Sequence, residues 1–291
     1  VVGGAAALGE GIAIGGSLAF NFIENTVDAH ITGSSHIDAR NAVSVTAHDT
    51  ASIATLAGNV AFSLGGPAAV GVAFAMNSIQ DSVTATIDNS SVRSSFGGIH
   101  VDATFAKPTA LPPGLDVQIA AMAVSGGGAS TIAGAGSVPL NWVRNTVEAK
   151  VANIGDIVPG DEIQANGELS VTASDSSTIN ALAGAVAIAG IGASAASGAI
   201  GASVAYNYLG GDPSDPATTD NNVVRAAIEN VHGVGANTID VHATYHGQIN
   251  NITVAGAGAG TFALGGAVSI NRIRNTADAH VANIGQMDAD Q

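Results

Sequence analysis

The chain has no cysteine, one tryptophan and three tyrosines, and charged residues make up only 11% of its 291 positions. Each shortage excludes something. Without cysteine there is no disulfide framework to read, and the redox compartment stays open. Eight Lys and Arg stand against 23 Asp and Glu, a formal net charge of −15. That balance argues against nucleic acid as a partner, because phosphates need basic side chains. It favours solubility and attracts divalent cations. With 4% aromatic residues, a globular core of ordinary thickness is hard to fill. The 38 glycines and the abundant Ala and Val suit a thin core between close-set strands instead. A hydrophobic share of 46% is too high for disorder. No Arg/Lys-led apolar segment with a cleavage site opens the chain.

What is present is a repeat. Asn21-Phe22-Ile23-Glu24-Asn25-Thr26 returns as Asn77-Ser78-Ile79-Gln80-Asp81-Ser82, as Asn141-Trp142-Val143-Arg144-Asn145-Thr146 and as Asn271-Arg272-Ile273-Arg274-Asn275-Thr276. A further copy begins at Asn207-Tyr208-Leu209 and resumes at Asn222-Val223-Val224. The leading asparagines are 56, 64, 66 and 64 residues apart. The period of about 64 residues marks one repeat array without internal domain boundaries. It divides into repeats 51–116, 117–177 and 178–247, with partial repeats at 1–50 and 248–291, so the chain is expected to start and stop inside a repeat.

Within a repeat the alternation is that of strands. Val43-Ser44-Val45-Thr46-Ala47 is restated by Ile99-His100-Val101-Asp102-Ala103, Leu169-Ser170-Val171-Thr172-Ala173 and Ile239-Asp240-Val241-His242-Ala243. Positions one, three and five stay apolar while two and four are polar, the pattern of a half-buried strand. Helix is the competing reading for the Ala-rich stretches. Gly recurs inside them, at about 1 kcal/mol each against a helix, and their companions are β-branched. Pro-rich Lys107-Pro108-Thr109-Ala110-Leu111-Pro112-Pro113-Gly114, the lengthened turn Ile157-Val158-Pro159-Gly160-Asp161, and Gly210-Gly211-Asp212-Pro213-Ser214-Asp215-Pro216 read as insertions confined to turns.

These features predict an all-β fold, a parallel β-solenoid of the right-handed β-helix type built from the 64-residue repeats. Coils of roughly 20–22 residues would place three in a repeat and coils near 32 would place two, giving a rod of roughly 40–65 Å. A transmembrane barrel also alternates, but needs aromatic girdles that Trp142, Tyr206, Tyr208 and Tyr245 cannot draw; no membrane span is expected.

Asn21, Asn77, Asn141, Asn207 and Asn271 are expected to be structural. If a repeat is a single coil their amides stack as a ladder; if it is two or three coils, each caps a local turn. Asp212, Asp215 and Asp220, with Asn221, offer oxygens to calcium in one loop, without an EF-hand or β-roll pattern. A solvated turn is the competing reading there. The histidines lack zinc-ligand spacing. Gly190-Ile191-Gly192-Ala193-Ser194-Ala195 matches a dinucleotide fingerprint only loosely, with no βαβ unit around it. No serine has nucleophile-elbow spacing, so no enzymatic activity and no organic cofactor are expected.

Ala181-Leu182-Ala183-Gly184-Ala185-Val186-Ala187-Ile188, followed by Gly201-Ala202-Ser203-Val204-Ala205-Tyr206-Asn207, resembles the repeats of leukotoxin-type and filamentous-haemagglutinin-like adhesins of Gram-negative bacteria. The likeness runs along the whole chain. It implies an extracellular or surface-anchored β-helical shaft whose partners are itself or neighbouring repeats, and it carries no catalytic residues over. Two alternatives remain open: a module binding a host or community surface ligand such as a glycan through its inserted loops, with Tyr206 and Tyr208 as stacking platforms, or a self-assembling sheath.

Overall fold

A computed structural model of the chain describes residues 2–109, 116–154, 162–190, 196–211 and 221–289. All regular elements among them are strands, and all their pairings are parallel. The first coil comprises β1 (Val2–Gly9), β2 (Ile12–Ile23), β3 (Thr26–Ile31), β4 (His36–Ala39) and β5 (Val43–Asp49). The second repeats it as β6 (Ile53–Ser63), β7 (Ala68–Ile79), β8 (Ser82–Asp88), β9 (Ser91–Ser94) and β10 (Ile99–Phe105). The third has β11 (Ile119–Ala129), β12 (Ile132–Val143), β13 (Thr146–Ile154) and β14 (Ile163–Asp175). The fourth has β15 (Thr178–Ala189), β16 (Gly198–Leu209) and the long β17 (Asn222–Tyr245); the fifth has β18 (Gln248–Gly258), β19 (Phe262–Ile273) and β20 (Asn275–Ala289).

Each strand pairs with its counterpart one repeat away, never with its neighbour in sequence. One sheet runs β1-β6-β11-β15-β18, a second β19-β16-β12-β7-β2, and the third collects β3, β4, β5 and their counterparts. The chain is therefore a parallel β-solenoid, as the alternation predicted. One expectation is corrected. Asn77 lies beside Asn141 and Leu56 beside Met122, so a repeat closes as one wide coil, not as two or three small ones. Five levels at about 4.8 Å stack to roughly 20 Å, well short of the 40–65 Å that smaller coils would give.

The cross-section has two lobes, set by side-chain size. In the body, β8 and β10 and their counterparts face one another across Ile, Val, Leu and Phe. Ile87, Ile99, Phe105, Leu169 and Val171 are fully buried there. The other lobe is a blade in which β6 faces β7, β11 faces β12, and β15 faces β16. Its inward positions are Ala, Gly and Ser: Ala57, Ala73, Ala75 and Ala123 form one buried cluster, and Ala135, Ala185, Ala187 and Ala199 belong to another. A Cβ on Gly127 would strike the Gly134 carbonyl, and one on Gly201 the Gly256 carbonyl. The two sheets thus meet almost backbone to backbone, which is why large residues are scarce. Pro139 points inward in the middle of β12; having no N–H, it coincides with the gap in β12–β16 pairing between Ser137 and Leu140.

The inward set Val45, Val101, Val171 and their neighbours at positions one and five faces the body core, and Ser44, Asp102 and Thr172 face out. Val45→Asp is expected to destabilise by at least about 3 kcal/mol, because it buries a charge without a partner. Ser44→Ala should stay within about 0.5 kcal/mol. Urea denaturation followed by circular dichroism measures both; equal sensitivity would overturn this inside/outside assignment.

Candidate functional site: three polar columns along the axis

Stacking in register places like residue above like residue. A buried polar residue then has to satisfy its own copies, and asparagine does so because its amide both donates and accepts. Asn21 Nδ2 donates to Asn77 Oδ1 at 2.8 Å, Asn77 to Asn141 at 2.7 Å, Asn141 to Asn207 at 2.8 Å and Asn207 to Asn271 at 2.9 Å. The five expected structural residues are thus one ladder, and the turn-cap alternative falls with the smaller coils. Asn77, Asn141 and Asn207 are completely buried. At its ends the ladder takes help from the facing sheet: Thr55 Oγ1 donates to Asn77 Oδ1 at 2.6 Å, and Asn251 reaches Ser269 beside Asn271. The column stands on the second sheet where blade meets body, two residues before Ile23, Ile79, Val143 and Leu209 turn into the core.

A second column was not anticipated. Four residues after each ladder asparagine come Asn25, Asp81 and Asn145, and Asn222 after the loop. Asn25 N–H donates to Asp81 Oδ1 at 2.8 Å, Asp81 N–H to Asn145 Oδ1 at 3.3 Å, and Asn145 N–H to Asn222 Oδ1 at 2.7 Å. Their side chains reach across the coil: Asn145 Nδ2 donates to Asp175 Oδ2 at 3.3 Å, and Asn222 Nδ2 to the Tyr245 hydroxyl at 3.0 Å. Asp175 also accepts from the Ser177 N–H at 2.8 Å. Burial pushes the Asp175 carboxyl up to about 6, against the hydrogen bonds from Ser177 and Asn145. Burial likewise raises Asp81 to about 6, with the Asn25 N–H opposing and the charge of Asp49 adding. Asp81 Oδ2 is buried without a hydrogen-bond partner. Tyr245 is raised above its ordinary value, again chiefly by burial. The signal for this column was legible as the fifth letter of the repeated phrase, Asn-x-x-x-Asn, but only once the coil was known to close on itself.

A third column follows the bend of the body. Asn89, Asn153, Asn230 and Asn283 have φ between 47° and 55°, the left-handed region that asparagine tolerates better than other side chains. Asn283 Nδ2 donates to Asn230 Oδ1 at 3.0 Å, and Asn153 Nδ2 to Asp88 Oδ1 at 2.8 Å.

On the outer face of the body, Glu148, Arg225 and Asp278 stack in register. Arg225 lies 3.0 Å from Glu148, 2.8 Å from Glu229 and 3.7 Å from Asp278, and Lys150 lies 3.7 Å from Glu148. Alternation of sign offsets the like-charge repulsion that stacking would impose on this acidic chain. His30 and His280 occupy equivalent positions in the first and fifth coils, as their sequence contexts indicated, each paired with the aspartate two residues before it, at 2.8 and 3.0 Å. Among the described residues no group of three metal-ligating side chains gathers. Asp212, Asp215 and Asp220, the proposed calcium ligands, lie outside the described residues, as do 110–115 and 155–161 of the other insertions.

The fold and its columns define a parallel β-solenoid with amide ladders. No family model, curated protein or solved structure matches the chain.

Asn141→Ala leaves an Asn77 donor and an Asn207 acceptor buried and unpaired, an expected loss of about 2–6 kcal/mol at roughly 1–3 per orphaned group. Asn21→Ala, at the half-buried end of the ladder, should cost less; chemical denaturation that ranked the two the other way would contradict the ladder. Asp81 binds its proton more tightly folded than unfolded, since its value rises from 3.8 to about 6. Its contribution is full below about pH 4 and is lost as pH rises through about 6. Asp81→Asn, which restores the column's amide, should therefore stabilise at pH 7.5 by about 2 kcal/mol and flatten the dependence between pH 4 and 7. Thermal melts across that range give the readout.

Proposed function

We propose that this chain is a non-catalytic structural segment of a bacterial fibre or adhesin shaft working outside the cell, whose coils stack on neighbouring repeats or on further copies of itself. The observation that carries this reading is the unbroken amide ladder from Asn21 to Asn271, with every coil set on the next in the same register. Such a ladder constrains nothing but axial stacking, and it lengthens without redesign each time a coil is added. The buried groups with displaced proton affinity, Asp81, Asp175 and Tyr245, are tied into the same axial and cross-coil hydrogen bonds, which suits a structural role. The resemblance to filamentous adhesins points the same way. Glycan recognition is less well supported, because Tyr208 is 7% exposed and its ring has little open face for stacking.

Coil duplication tests the reading. Residues 118–177 span one complete level, since Ile119 pairs with Ile179. Inserting a second copy after residue 177 should preserve the far-ultraviolet spectrum and lengthen the particle by about 4.8 Å per added coil in small-angle scattering. Unfolding, or an added coil that loops out without lengthening the particle, would count against a shaft that grows by stacking.

A further inference from the structure

The blade is apolar outside as well as inside. Along its first sheet (β1, β6, β11, β15, β18) the outward positions carry no charge at all. The exposure is not an effect of the end coils. In the middle levels Met122 is 40% exposed and Val186 49%. This face measures roughly 800–900 Å² from its strand lengths and spacing. That exceeds the apolar patches monomeric proteins usually leave in water and equals about one partner's share of a standard protein interface.

Its relief is more informative than its area. One outward row along the axis reads Gly58, Val124, Gly184, Val254, and the adjacent row reads Val60, Gly126, Val186, Gly256. From the second coil to the fifth, valine knobs and glycine holes alternate along each of these two rows, and the rows are out of phase, so this part of the face is a checkerboard with a period of two coils; the first coil continues them with Gly4 and Ala6, and the row beside them, Leu56, Met122, Leu182 and Ile252, is uniformly large. The holes are real. A Cβ on Gly58 would meet nothing within 4 Å, and one on Gly184 only the Val124 methyls at 3.6 and 3.7 Å. The monomer's packing therefore does not require glycine here, and these residues weaken the strands that hold them.

We propose that this face is the lateral interface between two copies of the chain, each offset so that valines of one blade seat in the glycine holes of the other. The checkerboard is complementary to itself, the area suffices, and no charge opposes contact. A bilayer fits less well. Lipid tails have no use for holes at a two-coil period. The proposal rests on the blade's cross-section and not on the shaft reading, so coil duplication can succeed or fail independently of it.

The test fills the holes. Gly126→Ala with Gly184→Ala fits the monomer, because the added methyl lies 3.9 Å from the Asn59 carbonyl and Val60 at the first position and 3.6 Å from Val124 at the second. In sedimentation velocity over a concentration series, the wild-type chain should associate reversibly, and the double variant should associate at least tenfold more weakly with an unchanged or higher melting temperature. A wild-type monomer at all concentrations, or association unaffected or tightened by hole filling, would overturn the proposal. So would flotation of the wild-type chain with phosphatidylcholine vesicles that strengthens when the holes are filled, since that would assign the face to lipid.

Discussion

Parallel stacking in register imposes one condition on everything else in this molecule: a side chain has its own counterparts as nearest neighbours above and below. Apolar residues meet the condition without effort. Buried polar residues meet it only if they can donate to one copy and accept from the next, and among short side chains asparagine does this with one planar amide. That is why asparagine marks the blade–body junction; at the next corner its oxygen accepts the backbone N–H of the neighbouring copy while its Nδ2 reaches across the coil, and at the bend of the body it tolerates the left-handed φ. Asp81 shows the condition by departing from it. A carboxylate only accepts, so Asp81 takes the Asn25 N–H but has no amide to donate across the coil, and burial, with the charge of Asp49 adding, holds its proton to about pH 6. On the outer face the same condition is met by alternating sign, with Arg225 set between Glu148 and Asp278.

The two lobes divide the composition between them. The body uses the Ile, Val, Leu and Phe of the chain in a core of ordinary thickness. The blade uses the Ala, Gly and Ser, letting two sheets approach so closely that a methyl group at Gly127 or Gly201 has no room. A blade this thin has little interior apolar surface of its own to stabilise it. In the proposed pairing of blades, its apolar outer face would add the burial that the inside cannot provide. Lateral pairing of blades and axial stacking of coils would act at right angles, an arrangement suited to a fibre or a bundled shaft.

Much of this was legible in the residues. The alternation in Val43-Ser44-Val45-Thr46-Ala47 and its restatements gave strand, face and burial correctly, because a period of two depends only on local backbone geometry. The ladder asparagines were identified as structural for the same reason that repeats are visible at all. The second column was not legible because Asp81 breaks its pattern and its partners, Asp175 and Tyr245, lie 30 and 23 residues from Asn145 and Asn222 respectively, across the coil. The checkerboard could not be seen either, because its rows exist only after strands from four repeats are laid side by side.

By itself the sequence determined that this is a strand-built repeat, which side of each strand faces inward, and which asparagines recur. The tertiary structure alone decided that one repeat closes as one coil. Alternation specifies the face of a strand and is silent about its hydrogen-bonded neighbour, so β6 could in principle have paired with β7 or with β11. The choice is made by contacts distant in sequence: amides that pair with their own copies 56 to 66 residues away, and small inward residues that let β6 and β7 pack face to face where pairing edge to edge would have separated them.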